Sequence, residues 1–483
     1  MAEPPQKPHA VLIPVPLQGH INPATRLAIK LATRGFTITY VNTEAVHHQS
    51  SRARRSASSI DHHIFADACA SGLDIRYELI SDGLPVSFDR TANPIQFLHS
   101  LLYVFSAHVE EFMRKLTRAA SPPITCLIAD TFFVWPSTIA KKFDIPYVSF
   151  WTEPAVVFTL YYHMDLLIKN GHFASCAENR KDTIAYIPGV PAIEPTDLMS
   201  YLQETNTTSV LHQIIFKAFE EARGADFVLC NTVQELEPET ISAIQQEKPF
   251  YAVGPLIPPG FIPGISVQTT LQVESDCSQW LDTKPAGSVL YISFGSFANV
   301  SKRDLEEIAY GILDTKANFI WVIRPDIVSS KEHEPLPQRF LEESYGRGMC
   351  IPWCCQMEVL SHPSIGGFLT HCGWNSILES MWCEVPMLCF PLQTDQFTNR
   401  KLVVKDWKIG IDLGRIDEVS RKEVSKRVDS LMGGEEGNEA KKVMKEVTRA
   451  LHGAVTADGS SQKNFDQFVA DLMRRGSGNR TMK

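Results

Sequence analysis

One short segment places several polar side chains where a buried strand is followed by a helix. GGFLT (366–370) has the composition of a buried strand, and His371, Asn375 and Ser376 come directly after it. Free backbone N–H groups and the positive end of the helix dipole favour an anion at a helix start. We therefore expect these side chains to help hold a phosphate group.

The same segment carries a carboxylate, Glu379, one helical turn further along. A carboxylate would repel a phosphate, but it can accept hydrogen bonds from the two hydroxyl groups of a ribose. This combination indicates a nucleotide that lies across the strand end. Trp353, at the end of the preceding predicted strand, offers a flat face for a base, although its spacing fits a structural tryptophan equally well.

Two further residues have the chemistry of proton transfer. His20 follows the strand-like HAVLIPVP (9–16), in a loop before a helix expected to begin near Pro23, and Asp130 ends the buried strand ITCLIAD (124–130). A carboxylate beside an imidazole fixes its tautomer and stabilises its charged form. The pair can therefore act as a general base and its orienting group. Helix capping or a surface position is the alternative for each residue.

Parallel sheets would bring these residues together at a binding site, because ligands bind beyond the carboxyl ends of parallel strands. Strand-like and helix-like segments alternate over residues 9–43, over residues 124–151 and again over residues 288–391. Such alternation predicts an α/β fold with doubly wound parallel sheets covered by helices on both faces. A chain of 483 residues is long enough for two such domains.

The predicted organisation is a first domain over residues 1–250, a connection over residues 251–275 and a second domain over residues 276–459. The connection contains four prolines between positions 255 and 263, which is typical of a stiff linker. Residues 460–475 have apolar side chains at helical spacing, so this helix needs a surface to cover.

Composition excludes several classes of function. A net charge of −9 argues against a nucleic-acid surface or a polybasic membrane patch. No stretch approaches the roughly 18 to 20 apolar residues of a spanning helix, and the start does not read as a signal peptide, so we expect a cytoplasmic protein. Eleven scattered cysteines predict neither a disulfide framework nor a metal site. The absence of GxGxxG counts against a nicotinamide enzyme.

The 44 residues from Trp353 to Gln396 closely resemble the sugar-donor signature of plant family 1 UDP-dependent glycosyltransferases. QGHINP (18–23), FWT (150–152), SFGS (293–296) and the C-terminal helix extend the resemblance over nearly the whole chain. The fold implied is GT-B, in which two Rossmann-like domains face each other across the active-site cleft. The helix over about residues 460–475 would pack back on the first domain.

The resemblance also implies a role for each residue of the donor site. The roles are uracil binding by Trp353 and the backbone of Cys354, ribose binding by Gln356 and Glu379, pyrophosphate binding by Ser296, His371, Asn375 and Ser376, and sugar binding by Thr152, Trp374, Asp395 and Gln396. A glutamine at position 396 implies glucose as the donor sugar. Galactose, xylose and glucuronate are the alternatives.

The implied reaction uses His20 as the general base and Asp130 as its partner. The acceptor hydroxyl would attack the donor sugar in one displacement and give a β-glycoside of a small hydrophobic molecule. No metal or cofactor is implied, because His371, Ser296 and the helix start can stabilise the UDP leaving group. We expect a monomer, with acceptor contacts in residues 85–105 and 151–164. A non-catalytic UDP-sugar sensor on the same fold is the alternative, and the presence of both His20 and Asp130 favours an enzyme.

The sequence departs from the family pattern at a few positions. Cys354 and Cys355 replace Ala-Pro, which should matter little because the family uses a backbone contact at the first position. Trp382 replaces a small residue, so we expect altered packing behind the donor pocket. Glu384 stands where glycine is common. A left-handed glutamate costs on the order of 1 kcal/mol, so the sequence predicts a slightly different turn there.

Overall fold

The computed structural model describes residues 7–53, 63–174, 180, 182–257, 269–328, 335–416 and 418–478. Two parallel sheets organise these residues. The strands are β1 (His9–Ile13), β2 (Thr37–Thr43), β3 (Ile75–Ile80), β4 (Cys126–Asp130), β5 (Tyr147–Trp151), β6 (Phe227–Cys230), β7 (Phe250–Ala252), β8 (Val289–Ser293), β9 (Asn318–Val322), β10 (Gly348–Ile351), β11 (Ile365–Thr370), β12 (Met387–Cys389) and β13 (Gly410–Asp412).

Helices follow most of the strands and cover the sheets. They are α1 (Gln18–Thr33), α2 (Glu44–Ala53), α3 (Ala66–Ala70), α4 (Pro94–Tyr103), α5 (Phe105–Ala119), α6 (Pro136–Lys142), α7 (Ala155–Tyr162), α8 (Met164–Lys169), α9 (Ser200–Gln203), α10 (Val210–Arg223), α11 (Pro238–Glu247), α12 (Ser278–Asp282), α13 (Lys302–Leu313), α14 (Gln338–Glu343), α15 (Gln356–Leu360), α16 (Trp374–Trp382), α17 (Gln396–Lys401), α18 (Arg421–Gly433), α19 (Glu435–Ala454) and α20 (Ser460–Gly478). A 3-10 turn at Pro195–Asp197 and a π-helical turn at Leu402–Asp406 complete the set.

The first sheet has seven strands in the order β3-β2-β1-β4-β5-β6-β7, and the second has six in the order β10-β9-β8-β11-β12-β13. Every pairing between these strands is parallel. The inner strands, such as β1 and β4, are buried along their whole length, as expected when helices cover both faces of a parallel sheet. The predicted class, two doubly wound α/β domains, is confirmed.

Three strands that the sequence pattern did not reveal, β3, β7 and β13, lie at the edges of the sheets. β3 contains arginine and glutamate and is partly exposed, and the other two have only three residues each. Edge strands are short and carry charged residues because a long apolar edge would pair with other chains. β3 and β13 therefore lack the apolar run that marks a buried strand, and β7, although apolar, is too short to stand out in the sequence.

The final helix, α20, returns to the first sheet. Phe465, Phe468 and Leu472 are fully buried in the core that includes β2 and α1. Tyr251 of β7 donates its hydroxyl to Asp471 at 2.6 Å. The predicted connection overlaps β7, and its residues 258–268 lie outside the described part of the chain, so the domain boundaries stay a prediction.

The turn after α16 differs from our expectation. Glu384 adopts a left-handed conformation, with φ of 60°, so the prediction of a different turn is wrong. The N–H of Val385 donates to Ser380 O at 3.0 Å and the N–H of Glu384 to Met381 O at 3.4 Å, which is the hydrogen-bond pattern of a Schellman helix end. These bonds hold the turn in place and offset the unfavourable φ. Trp382 does not line the cavity described below; its ring packs on His452 of α19, with ring centroids 4.1 Å apart.

Replacing Glu384 with glycine should stabilise the protein by about 0.5–1 kcal/mol, because glycine adopts a left-handed φ without steric cost. The free energy of unfolding in urea measures this gain. Glu384→Ala is the control, since alanine keeps the steric cost and removes only the exposed contact with Lys445 at 4.0 Å. An equal gain from both variants would show that the conformation of residue 384 is not strained.

Candidate active site

A cavity of about 950 Å³ lies between the two sheets, at the carboxyl ends of their strands. Its walls come from the segments that follow β1, β4 and β5 on one side and β8, β10, β11 and β12 on the other. Of the predicted site residues only Asp130 does not line it, because this carboxylate lies behind His20. Both domains therefore contribute to one chamber.

The first domain brings His20 and Asp130 together. His20 Nδ1 lies 2.7 Å from Asp130 Oδ2 and 3.2 Å from Thr152 Oγ1. Asp130 is 1% exposed, and its other oxygen accepts the N–H of Phe132 at 3.0 Å. Since the carboxylate accepts only, Nδ1 carries the proton and Nε2 remains as the proton acceptor of the ring.

His20 does not lie in a loop, as the sequence suggested. Helix α1 begins at Gln18, so His20 is in its first turn and Pro23 lies inside the helix. Proline has no N–H, and the carbonyl of Gly19 therefore lacks its usual partner four residues on. Asn375 Nδ2 of the second domain donates to this carbonyl at 2.7 Å. The base is thus anchored to the helix that faces it across the cavity.

The second domain presents the predicted anion site at the start of α16. Gly373 is the N-cap residue and has no side chain to cap the helix, so the first N–H groups have no intrahelical acceptor. Ser376 Oγ accepts a hydrogen bond from Gln356 Nε2 at 3.0 Å, which leaves the hydroxyl hydrogen of Ser376 to donate. One Nδ2 hydrogen of Asn375 is used on Gly19, and the backbone N–H remains.

His371 is packed tightly between two glycines beside this helix start. A Cβ at either Gly295 or Gly373 would overlap the imidazole, and Gly295 has a φ of 72° that favours glycine. Burial, aided by the positive charge of Arg324, lowers the pKa of His371 to about 4. The ring is therefore neutral near pH 7, and its Nδ1 has no hydrogen-bond partner within the described residues.

Arg324 holds the loop that carries Gly295 and Ser296, a role that the sequence did not indicate. Its guanidinium is 2% exposed and donates to the carbonyls of Gly295 and Ala298. This support fixes the backbone opposite α16, while Ser296 itself is exposed to the cavity. An arginine two residues beyond the buried strand β9 was the available signal.

The predicted ribose-binding residues, Gln356 and Glu379, belong to one hydrogen-bonded group. Gln356 Nε2 donates to Glu379 Oε2 at 2.8 Å, and the hydroxyl of Tyr291 donates to Gln356 Oε1 at 3.3 Å. Arg26 of α1 reaches across from the first domain and donates to Glu379 Oε1 at 3.2 Å and to Leu256 O at 2.7 Å. Burial lowers the pKa of Arg26, and the Glu379 charge opposes that shift. No pattern in the sequence singled out Arg26.

Trp353 lies two residues beyond β10, which ends at Ile351, and not at the strand end as predicted. Its ring is half-buried and lines the cavity, and its carbonyl accepts the N–H of Ser275 at 2.9 Å. The Cys354 side chain is buried and lies 3.5 Å from the hydroxyl of Tyr291. Its thiol faces the core, which leaves the backbone of Cys354 to contact a base.

Gln396 and Asp395, two of the predicted sugar-binding residues, differ in which polar atoms remain available for a ligand. Gln396 Oε1 accepts the N–H groups of Leu392 and Gln393, at 2.9 and 3.0 Å, so Nε2 is its remaining donor. Burial raises the pKa of Asp395, which accepts hydrogen bonds from Thr394 and Asn399.

The indole N–H of Trp374 is used in a hydrogen bond between the two domains. Its indole N–H donates to Asn231 O of the first domain at 2.7 Å, and its side chain is 3% exposed. The indole nitrogen is therefore not available to a sugar, and any sugar contact must come from the backbone or the ring edge. The roles of the donor residues in binding stay predictions.

The wall beyond His20 is largely apolar. Residues 91–102, within the predicted segment 85–105, line it through α4, and Glu153 and Tyr161 come from the predicted segment 151–164. Residues 209–215, at the start of α10, also line it and were missed. An amphipathic helix shows the same pattern whether its apolar face meets a core or a cavity, so the sequence held no distinguishing signal.

Two further properties concern the described residues as a whole. None of the helices within them is long and apolar enough to cross a membrane. The same part of the chain brings no three histidine, cysteine or acidic side chains into an arrangement that could hold a metal ion. The cavity thus combines a proton acceptor on one domain with an anion-binding helix start on the other, an arrangement suited to group transfer.

Comparison with known proteins identifies the family. Residues 77–447 match the family of UDP-glucoronosyl and UDP-glucosyl transferases. The chain is 54% identical to UDP-glycosyltransferase 86A1 and 57% identical to UDP-glycosyltransferase 86A2, both of Arabidopsis thaliana, over 97% of this chain and 95% of each relative. A UDP-glucosyltransferase from Polygonum tinctorium, capable of glucosylating indoxyl and solved with 3,4-dichloroaniline, has a TM-score of 0.77 at 26% identity, covering 97% of this chain and 99% of that one.

The chain therefore belongs to the plant family 1 UDP-dependent glycosyltransferases. The resemblance seen in the sequence is confirmed, and so are the GT-B fold and the prediction of a glycosyltransferase enzyme.

Replacing Arg26 with methionine should destabilise the protein and weaken UDP binding. The variant leaves Glu379 without its cationic partner in a buried position, a loss on the order of 3 kcal/mol. Thermal unfolding and calorimetric titration with UDP measure the two effects.

Arg34→Met, just beyond the end of the same helix, is the matched control. Arg34 pairs with Asp466 at 2.8 Å, but both side chains are about half exposed, so the change should stay within about 0.5 kcal/mol. Equal effects of the two substitutions would contradict the importance of the interdomain ion pair.

Proposed function

We propose that the protein transfers glucose from UDP-glucose to a hydroxyl group of a small hydrophobic acceptor, with inversion, to give a β-glycoside. The observation that carries this proposal is the 2.7 Å contact between His20 and buried Asp130, at the wall of a cavity shared by both domains. It supplies a proton acceptor of defined tautomer beside the predicted donor site.

In the proposed reaction, His20 Nε2 takes the proton of the acceptor hydroxyl as its oxygen bonds to the anomeric carbon of the sugar. The bond from that carbon to the UDP oxygen breaks, and UDP leaves with its electron pair. Asp130 stabilises the imidazolium that forms and keeps the ring in position. Because the acceptor and UDP occupy opposite faces of the sugar, one displacement inverts the anomeric configuration.

The charge that develops on UDP requires stabilisation at the other wall. The N–H groups at the start of α16, the hydroxyl of Ser376 and the loop held by Arg324 are preorganised donors or dipoles for this purpose. They support a mechanism without a metal or cofactor. Burial keeps His371 neutral near pH 7, and a bound pyrophosphate would favour its protonated form.

Glucose as the donor sugar is supported by the fixed amide of Gln396, whose Nε2 remains to donate to a sugar hydroxyl. UDP-galactose, UDP-xylose and UDP-glucuronate are the competing donors. Apolar side chains of α4 and α10 in the cavity wall support a hydrophobic acceptor. The related P. tinctorium enzyme, which glucosylates indoxyl, is consistent with a flat aromatic acceptor. We further propose that the protein acts as a cytoplasmic monomer.

UDP release from the four donors with a panel of phenols tests this proposal. UDP-glucose should give the highest kcat/KM. His20→Ala should lower kcat by about 10²- to 10⁴-fold, since it removes the general base. Asp130→Asn should also lower kcat, because the amide no longer fixes the tautomer or stabilises the imidazolium.

Two controls separate a lost base from a lost fold. Thr33→Ala, at the exposed end of α1, should leave turnover unchanged, and His20→Ala should still bind UDP with unchanged affinity. Turnover by His20→Ala at the rate of the unmodified protein would refute the base assignment.

A further inference from the structure

Glu153 is a carboxyl group that the proposed reaction does not use. It follows Thr152 directly after β5, and its side chain lines the cavity. The Oε2 atom is shielded from solvent and has no hydrogen-bond partner within the described residues. Unsatisfied buried oxygens are rare in folded proteins. An oxygen that accepts no hydrogen bond leaves the anionic form of the carboxyl group without stabilisation, so the neutral acid is favoured.

The surroundings of Glu153 favour the neutral acid. Burial raises its pKa well above the usual range, and the carboxylates of Asp130 on β4 and Asp395 before α17 raise it further. Among the described residues that line the cavity, Arg26 is the only lysine or arginine, and it is already paired with Glu379. A protonated carboxyl group offers one O–H donor that an anion would not.

The backbone under Glu153 is held rigidly. Glu237 accepts hydrogen bonds from the N–H groups of Ala155 and Val156, at 3.0 and 2.8 Å, at the start of α7. The indole N–H of Trp151 donates to Pro154 O at 2.9 Å. Contacts on both sides of residue 153 therefore fix where its side chain enters the cavity.

Glu153 also lies close to the base and to aromatic walls. Its neighbour Thr152 contacts His20 at 3.2 Å. Burial raises the pKa values of Tyr161 and Tyr201, which line the same wall, and Glu153 lies close enough to raise them further in its charged form. The acid thus stands near the base and beside the aromatic wall that the proposed function takes as the acceptor site.

We propose that Glu153 is a specificity-determining residue whose neutral carboxyl group donates a hydrogen bond to a carbonyl oxygen of the acceptor. The acceptor class is then a hydrophobic molecule that carries a carbonyl in addition to the hydroxyl that receives the sugar. This inference rests on the proposed function, because it takes the apolar end of the cavity as the acceptor site.

Two phenols that differ only in this oxygen, 4-benzylphenol and 4-hydroxybenzophenone, test the inference. Their binding to the UDP-saturated protein is measured by calorimetry, which does not require turnover. The unmodified protein should bind the ketone roughly 3- to 10-fold more tightly than the methylene analogue, the range expected for one hydrogen bond. Glu153→Leu should abolish this preference, and Glu153→Gln, which keeps a donor, should retain it.

The pH dependence gives a readout that a merely structural role would not produce. As pH rises, Glu153 loses its proton and the donor, so affinity for the ketone should fall more steeply in the unmodified protein than in Glu153→Gln, where only ionisation of the phenol itself remains. The other titratable groups facing this region, His20, Asp130, Tyr161, Tyr201 and Asp395, are present in both proteins. The 4-benzylphenol series at each pH corrects for their titration.

The outcomes separate the inference from the proposed function. Unchanged preference for the ketone in Glu153→Leu, with an unchanged melting temperature, would overturn the role of Glu153. A shift in the KM for UDP-glucose without a shift in phenol affinity would also overturn it, since Glu153 would then face the sugar. UDP release by the unmodified protein is measured separately, and its absence with the phenol panel would contradict the proposed function instead.

Discussion

The direct contact between helices α1 and α16 is the constraint on which the rest of the site depends. Pro23 leaves the carbonyl of Gly19 without its helical donor, and Asn375 supplies one from the other domain at 2.7 Å. Two turns further along α1, Arg26 meets Glu379 in the same interface. One helix carries the proposed base and the other carries the anion site, so these two contacts set the distance between proton acceptor and leaving group.

Burial then divides the cavity into regions of different electrostatic character. At the α16 side, burial and the nearby positive charge of Arg324 lower the pKa of His371 and keep its ring neutral near pH 7. Around Glu153 of the first domain and Asp395 of the second, burial raises the pKa of both carboxyl groups. Under the proposed function, the anionic part of a nucleotide sugar is favoured at the start of α16, while hydroxyl and carbonyl groups are favoured near these two carboxyl groups.

The sequence predicted the parts of the site that local position determines. His20 and Asp130 follow parallel strands, and HCGWNSILES (371–380) places its polar residues at a helix start, so both could be found without coordinates. Arg26 and Arg324 were missed because their importance arises from partners 353 and 29 positions away. Edge strands were missed because they are short or carry charged residues. The conformation of Glu384 was missed because two backbone hydrogen bonds compensate its unfavourable φ. Tertiary contacts, which no short segment records, account for each of these differences.

The central claim is that a base on one domain drives a single displacement at a sugar held by the other. The anomeric configuration of the product tests it most directly. A glycoside made from UDP-glucose, whose sugar is α-linked, is isolated before any equilibration and examined by proton NMR. The account predicts the large coupling between H1 and H2 of a β-glucoside. The small coupling of an α-glucoside would mean that configuration is retained, and a single displacement assisted by His20 would then be excluded.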